Sequence, residues 1–273
     1  MTAETDYVET IKRQRSAREE KLLASSLNWF SLVGLFPLQD GENTIGKGPQ
    51  FRINLSAIPA GVCASFLVRE NGVYLATEDA LFQVNGQTPS ETPLRQDVAG
   101  EPDLIEAGSL AMRVVLRNNQ PYLRVWDREA QALKDFAGLH YFPVDPNYRI
   151  AAAYQPFETP RSIRIMDAIG GEHESLFPGQ VCFTLHGVAC SLVAEEEDDG
   201  LLFNFTDLTR SDTTYPGGRY LLADYSREDV VILDFNLARN WPCAYTAFAT
   251  CPLPPVENHL KIRIEAGEMR YHD

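Results

Sequence analysis

The chain has 273 residues, 44% of them hydrophobic and 23% charged, which is enough apolar material for one large or two modest cores and excludes wholesale disorder. Its 38 Asp and Glu against 24 Lys and Arg leave a formal charge of −14, and a field of that sign repels phosphate backbones and anionic bilayers. No basic patch in the sequence offsets it, so neither nucleic acid nor membrane is expected as a partner, whereas a small polar ligand or another protein is.

Residues 1–10 contain no basic leader followed by an apolar run, and the later apolar runs are too short for a bilayer, so a cytoplasmic location is expected. The five cysteines, Cys63, Cys182, Cys190, Cys243 and Cys251, are odd in number and lack a compact disulfide spacing. Reduced thiols serving as packing groups are the expectation.

Residues 1–28 read as an amphipathic helix: from Glu4 to Leu27 there is no Gly or Pro, and Val8, Ile11, Arg15, Leu22 and Leu23 recur among balanced acids and bases. The polar face lacks the basic excess of a membrane-seeking helix, so packing beside the first core is expected. Residues 29–140 then carry short apolar runs separated by turn residues, among them Phe66-Leu-Val, Val73-Tyr-Leu, Leu110-Ala-Met-Arg-Val-Val-Leu and Tyr122-Leu-Arg-Val-Trp. Their lengths suit strands, and Asn85-Gly86 and Asn118-Asn119 mark turns, because these residues tolerate positive φ.

In the order of Ile45-Gly46-Lys47, Phe51-Arg-Ile-Asn-Leu55, Val84-Asn85-Gly86 and the strand after Glu106-Ala-Gly108, this stretch resembles a forkhead-associated sandwich. That family reads phosphothreonine through an Arg supported by a Ser and a His. Here Lys47 stands at the Arg position and loop 59–66 has no His, so the resemblance implies the fold without phosphopeptide recognition.

Residues 141–160 combine Pro143, Pro146, Pro156 and Pro160 with apolar anchors and read as a packed junction. Residues 161–273 are again β-rich. Val181, Phe183 and Leu185, followed past His186-Gly187 by Val188, Cys190 and Leu192, have the period of a hairpin across which Cys182 and Cys190 could approach. The acidic run from Glu195 lacks the ligand spacing of a calcium loop and reads as a solvated turn. In 230–237, alternation puts Val231, Leu233, Phe235 and Leu237 on one face and Asp234 and Asn236 on the other. Leu260, Ile262 and Ile264 alternate with Lys261, Arg263 and Glu265 as a terminal strand with one wet face. The fold expected is therefore mainly β: a helix, a forkhead-associated-like sandwich, then a second β-barrel or β-sandwich.

Phe205, Asp207 and Thr209, Thr214-Tyr215, Gly217-Gly218-Arg219, Asp234-Phe-Asn236, Cys243-Ala-Tyr245 and Thr250-Cys-Pro-Leu-Pro-Pro-Val-Glu-Asn258 together resemble a bacterial family of domains of unknown function. The resemblance names no activity. The residues themselves leave several readings open. Arg219, Asp234, Asn236, Glu257 and Asn258 could orient a small polar ligand, with Arg219 and Asp234 alternatively forming a structural ion pair. His186, Asp207, Asp234, Glu257 or a cysteine could serve a hydrolase-like enzyme, and Tyr215, Asn240, Cys243 and Cys251 are secondary candidates. A structural or interaction role without a ligand is the third reading. Cys243 and Cys251 are not in a close C-x-x-C pair, so no metal is expected; no nucleotide-loop or G-x-S-x-G motif occurs, and no cofactor is expected.

Overall fold

A computed structural model describes residues 3–90, 92–197, 200–227 and 229–272. Asp198 and Asp199 of the acidic run lie outside the described residues. The chain divides into two compact units, Leu23–Phe136 and a second formed by Met1–Leu22 with Ala137–Asp273. Among the described residues, no helix is long and apolar enough to cross a membrane.

In the unit Leu23–Phe136 the strands are β1 (Leu32–Pro37), β2 (Gly41–Gly46), β3 (Ile53–Asn54), β4 (Cys63–Arg69), β5 (Gly72–Ala76), β6 (Phe82–Val84), β7 (Ile105–Ala107), β8 (Leu110–Arg117) and β9 (Gln120–Asp127). They form one sheet in the order β1-β9-β8-β7-β6 and another in the order β3-β2-β4-β5. Ile45, Phe66 and Leu75 of the second sheet share one buried cluster with Ile105, Met112 and Leu123 of the first, so the two sheets bury a common core. The asparagine turns form as expected. Asn118 and Asn119, at φ 50° and 60°, join β8 to β9, while Asn85 and Gly86, at φ 52° and 75°, make the tight turn that closes Val84 onto Gln87. Lys47 is exposed at the end of β2.

The other unit holds helix α1 (Ala3–Leu23) and strands β10 (Arg149–Met166), β11 (Glu172–Leu185), β12 (Val188–Glu197), β13 (Gly200–Phe205), β14 (Arg219–Ala223), β15 (Tyr225–Arg227), β16 (Val230–Asp234) and β17 (Arg239–Asn240). These strands make one sheet in the order β15-β16-β10-β11-β12-β13-β14-β17. The barrel alternative is corrected: among the described residues no closed barrel forms, because β15 and β17 are separate edges and β17 is cut to two residues just before Trp241 and Pro242, which has no N–H for a ladder. Phe183, Leu192, Phe203, Leu221, Leu233 and Ile264 meet in one buried core of this unit.

Four local expectations are corrected here. More than half of the expected junction is strand β10, which accommodates Pro156 and Pro160 at a register break between Pro156 and Arg161, where a missing N–H costs no ladder bond. Cys182 stands opposite Ser191 and Cys190 opposite Phe183, so the two thiols point to opposite faces of the β11–β12 hairpin and do not approach. Strand β16 stops at Asp234, whose carboxylate accepts the Asn236 N–H and turns Phe235–Leu237 into a 3₁₀ helix; Asn236 is consequently buried rather than sharing an outer strand face. Helix α1 belongs with the β10–β17 unit: Ile11 on its face is 2% exposed, and Tyr7, Arg15 and Arg18 from the same face bond to residues beyond 140.

The stretch 260–264 alternates in burial as its sequence predicts, with Leu260, Ile262 and Ile264 buried, yet it is not a strand. Its backbone groups are taken by Thr206, Leu208, Asp207 and Arg219 instead of by a neighbouring ladder.

At Asn119 the positive φ dictates a testable outcome. Asn119→Val should lower stability by about 1–2 kcal/mol, because a β-branched residue resists the left-handed region, whereas Asn119→Gly should be near neutral. Urea midpoints of the two variants check this, and equal midpoints would contradict the assigned turn.

Candidate functional site

Most of the polar residues singled out by sequence fall in a closed cluster around Arg219, a partly buried cluster at α1 or a surface groove. The first cluster is built around Arg219. Gly218 precedes it at φ 98°, and a Cβ there would lie 2.6 Å from the Pro254 ring and 2.7 Å from the Phe205 carbonyl, so only glycine lets the chain enter β14 this close to the proline loop. The Arg219 Nη2 donates to Asp207 Oδ2 at 2.8 Å and to the Ile264 carbonyl at 2.9 Å, while Nη1 donates to the carbonyls of Ala266 and Glu268. Asp207 Oδ1 accepts from the Thr209 and Ile264 N–H groups at 2.9 and 3.0 Å and from the Thr209 hydroxyl at 2.6 Å. The side chains of Arg219 and Asp207 are 1% and 2% exposed. A pair at that depth, with both terminal nitrogens of the guanidinium bonded and, among the described residues, only its Nε without a partner, fastens the chain end to the sheet and offers nothing to a solvent-borne ligand.

The second cluster joins α1 to the same unit. Tyr7 donates to the Asp234 carboxylate at 2.9 Å and accepts from the Asn236 amide at 3.0 Å. Burial first, then the neighbouring carboxylate, push the Tyr7 hydroxyl well above its ordinary pKa. Arg15 donates to the carbonyls of Asn236 and Phe142. Arg18 pairs with Glu268, which is completely buried and also accepts from the Asn240 N–H and, at 2.8 Å, from the Tyr245 hydroxyl. Burial works to lower the Arg18 pKa, but the Glu268 charge prevails and raises it. Arg219 and Asp234 therefore do not pair: Asp207 takes Arg219, and Tyr7 covers Asp234.

Asn258, completely buried, imitates a strand residue with its amide. It accepts from the Val193 N–H at 2.7 Å and donates to the carbonyls of Val193 and Asn204 at 2.9 Å, and so seats the proline loop on β12 and β13. His186 occupies the exposed β11–β12 turn at φ 49°, edge-on to Tyr148. Asn240 donates to the Met269 carbonyl at 2.7 Å.

A groove of about 550 Å³ lies open beside residues 253–257. Ile163, Met166, Leu253, Pro254 and Val256 supply apolar wall, and Arg210, Glu257 and His259 supply polar groups. Val256 is 75% exposed. Among the described residues, the Arg210 guanidinium makes no hydrogen bond or ion pair. Arg164, at the same groove, lies a loose 3.6 and 3.9 Å from Glu172 and Glu174, exposed contacts worth little. A larger groove of about 760 Å³ on the unit Leu23–Phe136 includes Leu67, Tyr74 and Pro89, and its Arg69 is stacked over the Tyr74 ring at 5.0 Å. Among the described residues, no group of three or more His, Cys, Asp or Glu side chains could hold a metal.

Cys243, Cys251 and Tyr215 also come together. The Cys243 N–H donates to Cys251 Sγ at 3.2 Å, and a hydrogen bond from the Cys251 thiol lowers Cys243 to about 7 against the effect of burial, helped by the Tyr215 hydroxyl. Tyr7, Arg15, Arg18, Arg210 and Glu268 were absent from the candidates read in sequence. The α1 face was legible in the spacing of Tyr7, Ile11, Arg15 and Arg18, which recur at helical period once polar residues are counted with apolar ones.

Two outcomes follow from these contacts. Arg219→Gln and Asp207→Asn should each lower the folding free energy by about 3–5 kcal/mol, since each strands a buried charge or its donors, while Tyr7→Phe should cost about 1.5–3 kcal/mol; denaturant midpoints measure both, and a mild effect at Arg219 would contradict its structural assignment. Alkylation of Cys243 by iodoacetamide, followed by peptide mapping, should rise with pH through a midpoint of about 7.

Residues 134–269 match the model of a family described as a protein of unknown function (DUF1684). A solution NMR structure of an uncharacterized protein of Haloarcula marismortui is 36% identical, covering 50% of this chain and 78% of that one, with a TM-score of 0.42. No curated protein matches.

Proposed function

We propose that the β10–β17 unit is a ligand-binding domain whose site is the groove beside residues 253–257, and that it takes a small molecule with an apolar body and an anionic end. The observation that carries this reading is the unpaired Arg210 guanidinium at a groove whose walls are Ile163, Met166, Leu253, Pro254 and Val256. Apolar walls with a few convergent polar groups are the ordinary make-up of a small-molecule site. A fixed positive charge there selects a carboxylate, sulfonate or phosphate. Glu257, at the same groove, disfavours a second negative charge, and His259 adds a donor or acceptor. Arg219, Asp207 and Asn258 act at a distance: they hold the chain end and the proline loop, and with them one groove wall. The reading requires no cofactor and no metal.

The probe is 1-anilinonaphthalene-8-sulfonate, an apolar fluorophore with one anionic group. Its fluorescence should rise on mixing with the protein and fall on addition of decanoate but not of decylamine. Arg210→Gln should weaken its binding by about tenfold, the loss of one hydrogen bond to a charged group. Val256→Asp should weaken it as well, through repulsion at the wall. Unchanged binding in both variants would sink the groove as the site.

A further inference from the structure

We propose that Cys243 and Cys251 form a redox-active dithiol in which Cys243 is oxidised by a hydroperoxide and Cys251 resolves it to an intramolecular disulfide. This goes beyond the groove reading and rests on different atoms. Cys243 lies on the 3₁₀ turn Pro242–Ala244 and Cys251 directly before Pro252, so a proline flanks each sulfur-bearing residue and limits the backbone's freedom there. The turn is tied by the Tyr245 and Thr246 N–H groups to the Pro242 carbonyl, and Pro252 by the Asn204 amide to its own carbonyl at 3.1 Å. Between these anchors the Cys243 N–H meets Cys251 Sγ at 3.2 Å, and the two sulfurs share a hydrogen bond. Cys182 and Cys190, by contrast, face opposite sides of their hairpin.

The two thiols are not equivalent. Cys251 is buried at 5% exposure, whereas Cys243 is only half-buried. Such a difference assigns attack to Cys243 and resolution to Cys251. The Tyr215 hydroxyl, bonded to the Cys243 sulfur, positions that sulfur. Partial burial favours a small oxidant over a bulky disulfide. The Cys243 thiolate attacks the terminal peroxide oxygen; a sulfur–oxygen bond forms, the oxygen–oxygen bond breaks, and the leaving alkoxide or hydroxide takes a proton from water. Cys251 then loses its proton and attacks the Cys243 sulfur, expelling hydroxide, which leaves as water with that proton. In sum, two thiols and one hydroperoxide give one disulfide, one alcohol and one water, with two electrons passing to the peroxide. A low-molecular-weight thiol would return the pair to its reduced state.

The experiment adds one equivalent of hydrogen peroxide to the full-length reduced protein and maps the thiols by peptide mass. The expected product is a Cys243–Cys251 disulfide, with two of the five thiols lost. Cys251→Ser should instead accumulate a sulfenic acid at Cys243 that dimedone traps, and Cys243→Ser should form no disulfide at all. Tyr215→Phe should slow oxidation of Cys243 several-fold while leaving the product unchanged. Thermal midpoints of the serine variants establish that they are folded; should Cys243→Ser not fold, the Cys251→Ser trapping result decides alone. Oxidation of Cys63 or Cys182 ahead of Cys243, disulfides only between molecules, or no sulfenic acid in folded Cys251→Ser would overturn the proposal. Its failure leaves fluorophore binding at the groove untouched, so the two readings are separable.

Discussion

The β10–β17 unit depends on the buried pair of Arg219 and Asp207. The guanidinium holds Asp207 with one arm and, between its two terminal nitrogens, collects the carbonyls of Ile264, Ala266 and Glu268. Those carbonyls belong to a stretch with no neighbouring strand, and without this fork they would be buried acceptors lacking donors. Arginine suits the task where lysine does not, because a rigid fork serves several acceptors in fixed directions. Asp207 cancels the charge and at the same time orients the Thr209 and Ile264 amides, so the pair works as part of the backbone hydrogen-bond scheme.

The segment fixed in this way ends at Glu268, and α1 is attached through it. Glu268 has no exposure and is met by Arg18, Tyr245 and the Asn240 N–H, so its charge is balanced by a cation delivered from the other end of the chain. A helix with few apolar residues on its buried face can still dock if its polar groups find fully bonded partners, and Tyr7, Arg15 and Arg18 each do. Most of the polar residues in the signature segments are thereby consumed in holding the unit together. The groups left over lie at the edges of that network, at the groove of Arg210 and Glu257 and at the Cys243–Cys251 pair.

Side-chain amides carry much of the remaining load. Asn258 replaces a strand neighbour for Val193 and Asn204, and Asn236 ties Asp145 to Tyr7. Each substitutes one residue for a ladder that the irregular chain from 235 to 268 does not make. This explains how a stretch rich in Asn and Pro stays largely packed on the sheet with so few ladder bonds of its own.

Sequence by itself determined the β class, the helix, the asparagine turns and the alternation of buried residues in 260–264, because these follow from local rules: the period of apolar residues and the few residues that tolerate positive φ. It also singled out Arg219, Asp234, Asn236, Glu257 and Asn258 as residues that could orient a polar ligand, and Cys243 and Cys251 as secondary candidates. Only the tertiary structure decided whom each of them meets. Arg219 took Asp207 from 12 residues away rather than Asp234, and Asp234 received Tyr7 across 227 residues. Pairings over such separations leave no periodic trace, and a charged residue in sequence looks the same whether its partner is a ligand, a backbone carbonyl or a distant helix. The identity of the open groups was likewise a tertiary matter, since what sets Arg210 apart is its place at the groove beside residues 253–257 and not anything in its neighbours along the chain.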